Sequence, residues 1–204
     1  MVERYTFVLI IIILLLTSPC TLHQAAAFPI ADYSPNSIRS AFASIRTYFP
    51  PATSPLRVAL FNAGHGVWKP FLDITDNDLR NSFDVNVAAA FAFSREVITE
   101  FLKLGFEDSS EGGQGGSRKR GTLLFTGATA SIRGNATTSA FAAGKHGLRA
   151  LAQSLAKEFG KQNIHVRHFE LNYFFTHQLR LGNRSHTYVT ILPTLSISVL
   201  TLHM

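Results

Sequence analysis

From residue 28 onward the apolar positions switch repeatedly between two spacings. Phe28-Pro29-Ile30-Ala31 is a short apolar stretch that predicts a strand ending at Asp32. Ser34 then offers a hydroxyl cap with Pro35 at the first helical position. Ile38, Phe42, Ile45 and Phe49 recur at helical spacing until Pro50 and Pro51 stop the run. Residues 56–61 read as a buried strand closed by the turn Asn62-Ala63-Gly64. Thr75 and Asp78 have capping-box spacing and predict the start of a short helix. A helix rich in alanine and phenylalanine follows over 85–104 and stops at Gly105, and residues 105–121 predict a flexible surface loop. Residues 122–125 predict another strand. Leu148, Leu151, Leu155 and Phe159 form the core stripe of a helix over 139–158, with Gly160 past its end and a last strand at 164–171. Strands alternating with helices of this length predict an α/β fold: an incomplete doubly wound parallel sheet with helices on both faces.

The first 27 residues depart from this pattern. Residues 7–16 are an unbroken apolar run, and residues 17–27 turn polar and end in Ala25-Ala26-Ala27. The layout is that of a secretory signal with a cleavage site before Phe28. Ten residues fall short of the roughly 20 needed to span a bilayer. The same run, with four isoleucines and a valine, also suits a buried strand. On the first reading the chain enters the secretory pathway or touches a membrane through residues 7–16; on the second it is compatible with the cytoplasm. The chain therefore divides into 1–27, a domain over 28–171, and a tail over 172–204. The tail lacks a helical stripe, although Leu195, Ile197 and Val199 alternate with polar residues. Asn135 and Asn183 begin sequons that would accept glycans on secretion.

Composition narrows the function. A chain of 204 residues, 46% of them hydrophobic, has room for one domain with a real core. A net charge of +6 invites a nucleic-acid reading. The basic residues are scattered, however, and their one run, Arg118-Lys119-Arg120, lies in a Gly/Ser-rich loop, which argues against a nucleic-acid face. Cys20 is the sole cysteine, so no internal disulfide is expected. His165 and His168 fall on opposite sides of one strand, and no metal site is expected.

Four segments carry recognisable chemistry in order: Phe61-Asn62-Ala63-Gly64, residues 83–91 around Asn86, residues 121–131, and the helix from Phe141 through Lys145 to Phe159. Over residues 28–171 this series resembles the short-chain dehydrogenase/reductase family. The resemblance implies a Rossmann-like fold and hydride exchange between NAD or NADP and a small carbonyl or alcohol substrate. It assigns Lys145 and Asn86 to catalysis, and Asp32, Asn62, Ala63, Gly64 and Lys145 to the cofactor. It also implies pairing of subunits into a homo-oligomer through the helices around 85–104 and 141–159.

The departures from the family pattern are as informative. The catalytic tyrosine position is Phe141 and the catalytic serine position is Ala128, with Thr126, Thr129 and Ser131 as nearby hydroxyls. General acid–base catalysis is typically worth about 10²–10⁴-fold, and a phenyl ring can neither give nor take a proton. Lys145 could act in its place only with a pKa brought down by burial toward neutrality. No glycine precedes Gly64, so this chain has no glycine-rich phosphate loop, and Asn172-Tyr173-Phe174 stands where the family has Pro-Gly. Without the family's first two strands the sheet is left with a gap. Either residues 7–16 fill it, or strand 28–31 pairs directly with strand 56–61. The expectation is an oxidoreductase-like protein with impaired or absent turnover. The alternative is a non-catalytic binding module or a truncated product of such a gene.

Overall fold

The computed structural model describes residues 7–9, 26–105 and 119–171. The rest of the signal-like segment, the 106–118 part of the loop and the tail with its 172–174 segment, alternating apolar residues and Asn183 lie outside the described residues. Strand β1 (Phe7–Leu9) pairs antiparallel with β2 (Phe28–Ile30), Val8 opposite Pro29. Helix α1 (Pro35–Tyr48) begins where expected: the Ser34 hydroxyl accepts from the Ser37 N–H, and Pro35 occupies a position whose N–H would be unpaired in any case.

β3 (Val58–Phe61) is the edge of a second, three-stranded sheet. Its partner β4 (Gly121–Ala128) lies between it and β5 (Ile164–Leu171), and all three strands are parallel. β2 pairs with none of these three, so the expected direct pairing of 28–31 with 56–61 does not occur; β2 is covered by residues 7–9 instead. β4 also runs three residues past the expected end. Gly127 is tolerated there because the His168 ring from β5 occupies the space a side chain would take: a Cβ on Gly127 would lie 2.2 Å from His168 Cε1.

The helix expected over 85–104 is part of a longer one. α2 (Asp76–Phe83) opens on the Thr75/Asp78 capping box, passes through a π turn at Asp84–Ala88, and continues as α3 (Ala89–Lys103). The π turn inserts one extra residue into the helix at the position that carries Asn86. Helix α4 (Ser139–Phe159) packs on β4 and β5 and against α2 and the π turn, while α1 packs on α3. Arg46 ties α1 to α3 through Glu96 and Glu100, each at 3.3 Å.

The core lies between these helices and one side of the sheet. Register puts Ala59, Leu123 and Val166 in one row and Phe61 and Phe125 in the next, and all are buried. Phe93 of α3 joins them edge-on, with its ring 5.4 Å from Phe61 and 5.5 Å from Phe42. The opposite side of the sheet carries Val58, Leu60, Leu124 and Phe169, which are half-buried or exposed. The parallel layering expected from sequence is therefore present, and among the described residues its helices line one face.

Candidate functional site

The C-terminal ends of β3 and β4 and the first turns of α4 converge on one amine. Lys145 is buried at 5% exposure, and its Nζ donates to the Thr126 carbonyl oxygen at 3.1 Å. Burial disfavours the ammonium and brings its pKa down to about 8. Two glycines let the backbone close around it. A Cβ on Gly64 would lie 3.1 Å from Lys145 Nζ and 3.5 Å from Asn86 Oδ1. A Cβ on Gly144 would lie 3.0 Å from Asn86 Nδ2 and from Ser82 Oγ, so glycine there allows α4 to approach the π turn.

Asn86 is fully buried and holds the turn after β3. Its Oδ1 accepts from the His65 N–H at 3.2 Å; its Nδ2 donates to the His65 carbonyl at 2.9 Å and to Ser82 Oγ at 3.2 Å. Ser82 in turn donates to the Ala140 carbonyl at 2.9 Å. Asn86, Gly64 and Lys145 are thus brought together, Asn86 through its bonds to His65 and Ser82 and Lys145 through its bond to Thr126. Asn62 is exposed, and Ala63 packs against the core. Asp32 makes local bonds: it accepts from the Ser34 N–H at 2.9 Å, and its hydrogen bonds to Ser34 and Ser37 hold its carboxyl below the usual range.

Neither degenerate position recovers a hydroxyl. Phe141 lies one helical turn before Lys145, and its ring packs at a tilt of 44° against Trp68, with centroids 5.3 Å apart. The Ala128 N–H donates to the Ser131 hydroxyl, which is buried in closing the turn after β4. Thr126 Oγ1 is buried without a partner, and Thr129 begins the same turn. No group of histidine, cysteine and carboxylate side chains is arranged to hold a metal among the described residues.

Two contributors lay beyond the sequence reading, and a third, His168, was read there only against a metal site. Trp68 folds back over Gly66, where a Cβ would meet its ring at 2.1 Å, and nothing in the sequence signalled its packing on Phe141. Ser82 precedes Asn86 by four residues on the same helix, a spacing that could have revealed it. His168 shares the inward row of Ile164 and Val166, so strand alternation could have found it. Burial first, then the charges of Lys145 and Arg149, bring His168 down to about 4, and its Nε2 is buried without a partner.

A hydride-exchange site of this ancestry needs a nicotinamide cofactor, and the residues present fit only part of one. Gly64, Asn86 and Lys145 lie together without side-chain obstruction at Gly64 and would hold the ribose end of that cofactor.

The chain is 27% identical over 124 residues to the 2-dehydro-3-deoxy-D-gluconate 5-dehydrogenase of Formosa agariphila, covering 61% of this chain and 42% of that enzyme. A short-chain dehydrogenase structure from Rhodopseudomonas palustris superposes with a TM-score of 0.55 at 34% identity, covering 68% of this chain and 56% of the other. A 4-hydroxyisoleucine dehydrogenase complexed with NADH shares the fold, with a TM-score of 0.54 at 24% identity over 67% of this chain and 52% of its own. The chain thus spans about two fifths of the curated relative and about half of each solved one. The family model for short chain dehydrogenase matches residues 23–182, which contain the sheet, the π turn with Asn86 and the helix with Lys145. By that match and that architecture, the chain belongs to the short-chain dehydrogenase family.

Proposed function

We propose that this chain is a family member that keeps the fold core and the lysine–asparagine half of the site but does not turn over carbonyl or alcohol substrates with NAD or NADP. The observation that carries this reading is the Phe141–Trp68 contact one turn before Lys145. An aromatic contact occupies the position from which a phenol would deliver its proton, and Ser131, a nearby hydroxyl, accepts from the Ala128 N–H. Lys145, with a pKa brought down by burial to about 8, would have to serve as the acid in place of the phenol. The chain then acts as a non-catalytic binding or interaction module. Self-association is supported by a cleft of about 370 Å³ between α3 and α4, where Phe91 and Leu102 are exposed.

Fluorescence titration with NADH and NADPH, combined with a carbonyl-reduction assay on the full chain, tests the reading. No micromolar binding and no turnover are expected. Micromolar binding together with turnover that Lys145→Ala abolishes would overturn it.

A further inference from the structure

We propose that the side of the three-stranded sheet turned away from α1, α3 and α4 is a docking surface for an acidic amphipathic helix of a partner protein. Sheet register defines that side. Val58, Thr122 and His165 share one row across the strands, Leu60, Leu124 and Arg167 share the next, and Phe169 lies beyond them on β5. These positions alternate with the buried ones; Arg167 and Phe169 are exposed and the others half-buried. The buried cluster that joins the sheet to α1, α3 and α4 takes its strand residues from the opposite parity, Ala59 and Leu123 among them. Among the described residues no helix packs on the outer side. A parallel sheet is ordinarily covered on both faces, and its ordinary cover is a helix. Leu60 and Leu124, flanked by Val58 and Phe169, form the apolar centre against which such a helix would lay its own apolar stripe.

Charge decides which kind of helix fits. The titratable side chains that the strands place on this side are His165 and Arg167, both basic, whereas Glu170, the carboxylate of β5, alternates to the other side. Arg167 Nε donates to His165 Nε2 at 2.9 Å. The His165 pKa is lowered by burial first and then by the charges of Arg167 and of Lys119, which is exposed nearby. Among the described residues neither Arg167 nor Lys119 is paired with a carboxylate. A helix seated on Leu60 and Leu124 would set glutamates or aspartates from its flank against these two cations. A second copy presenting the same side would bring further cations and no carboxylate from its strands, so the complementary occupant is an acidic partner and not this chain itself.

The test titrates the full chain into a fluorescent synthetic helix about 18 residues long, with leucine on one face and glutamate on the other, and reads anisotropy. A second peptide keeps the leucines and carries lysine in place of glutamate. The glutamate peptide should bind at least about tenfold more tightly than the lysine peptide, and more weakly as salt is raised. Arg167→Glu should weaken its binding about tenfold and Phe169→Ser severalfold, whereas Arg95→Glu, at an exposed position on α3, should change it less than about twofold. Circular dichroism checks that each variant, substituted at an exposed position, keeps the fold. Absence of binding, equal binding of the two peptides, or an equal loss with Arg95→Glu would overturn the proposal. So would a homodimer in light scattering that Phe169→Ser dissociates, since a second copy would then cover this side. The assay contains no NADH, so the detection of hydride turnover, which bears on the preceding reading, leaves its outcome untouched.

Discussion

Lys145→Met separates a buried charge from a merely buried side chain. The ammonium ordinarily titrates near 10.5 and is brought down to about 8 by burial. At 1.36 kcal/mol per pH unit, that displacement corresponds to about 3 kcal/mol of folding free energy held against the native state while the group is protonated. The sign follows from proton binding. Between pH 8 and 10.5 the unfolded chain keeps a proton that the folded chain has released, so stability rises with pH across that window. Below pH 8 both states are protonated and the full penalty remains; above 10.5 it has vanished. Methionine fills similar volume without charge, so the variant should be more stable than the native chain at pH 7 by about 1–3 kcal/mol, the lost bond to the Thr126 carbonyl offsetting part of the gain. Urea unfolding at pH 7, 8, 9 and 10 for both proteins reads the difference. Tyr33, whose pKa is raised by burial, titrates in both and cancels in the comparison. The stability difference should shrink steadily above pH 8. Parallel curves, with the same gap at pH 7 and pH 10, would refute the assignment of the penalty to a desolvated ammonium.

Three further outcomes follow from the packing and from the N-terminal pattern. Asn86→Ala removes the bonds that hold the His65 backbone and leaves buried groups unpaired, so urea unfolding should show a loss of about 2–3 kcal/mol and hydrogen exchange should quicken at His65. Gly121→Ala forces a methyl to within 2.5 Å of the Phe101 ring and should destabilise by about 1–3 kcal/mol in the same assay, whereas Gly105→Ala, which meets nothing within 4 Å, should not. The signal reading of residues 1–27 predicts that expression in a secreting cell yields a protein whose N-terminal sequence starts at or next to Phe28. An intact Met1 on cytosolic protein would leave the apolar run to its pairing with β2.

What the sequence disclosed was whatever a few neighbouring residues decide among themselves. Ser34 with Pro35, and Thr75 with Asp78, form their caps from side chains three residues apart or closer, and both are where local spacing put them. The stripes Ile38–Phe42–Ile45 and Leu148–Leu151 likewise became buried faces. Features set by distant partners were not legible. β4 runs three residues past its expected end through Gly127, where the ring of a histidine forty-one residues later takes the place of a side chain. The π turn joining α2 to α3 has no signature in composition, since its function is to aim Asn86 at His65. Cover on both faces was expected from the alternation of strands with helices, and among the described residues the buried positions lie on the Phe61–Phe125 side.

The site shows the same division, and it bears on why a lysine should be retained where the hydroxyl is lost. Lys145 and Asn86 were recognisable by type and spacing, but their environment was not. Had Phe141 been an isolated substitution, an unfilled polar slot would be expected around its ring, with water or a neighbouring hydroxyl in place of the phenol. Instead Trp68 folds across Gly66 to pack on the ring. Ser131 is turned into the Ala128 N–H, and the strand position level with Phe125 carries an imidazole uncharged at neutral pH. These surroundings are apolar or internally satisfied, which is the setting that lowers an ammonium's pKa when no carboxylate accompanies it. Burial beneath the Thr126 carbonyl, with no carboxylate paired to it among the described residues, is what holds the Lys145 ammonium's pKa down.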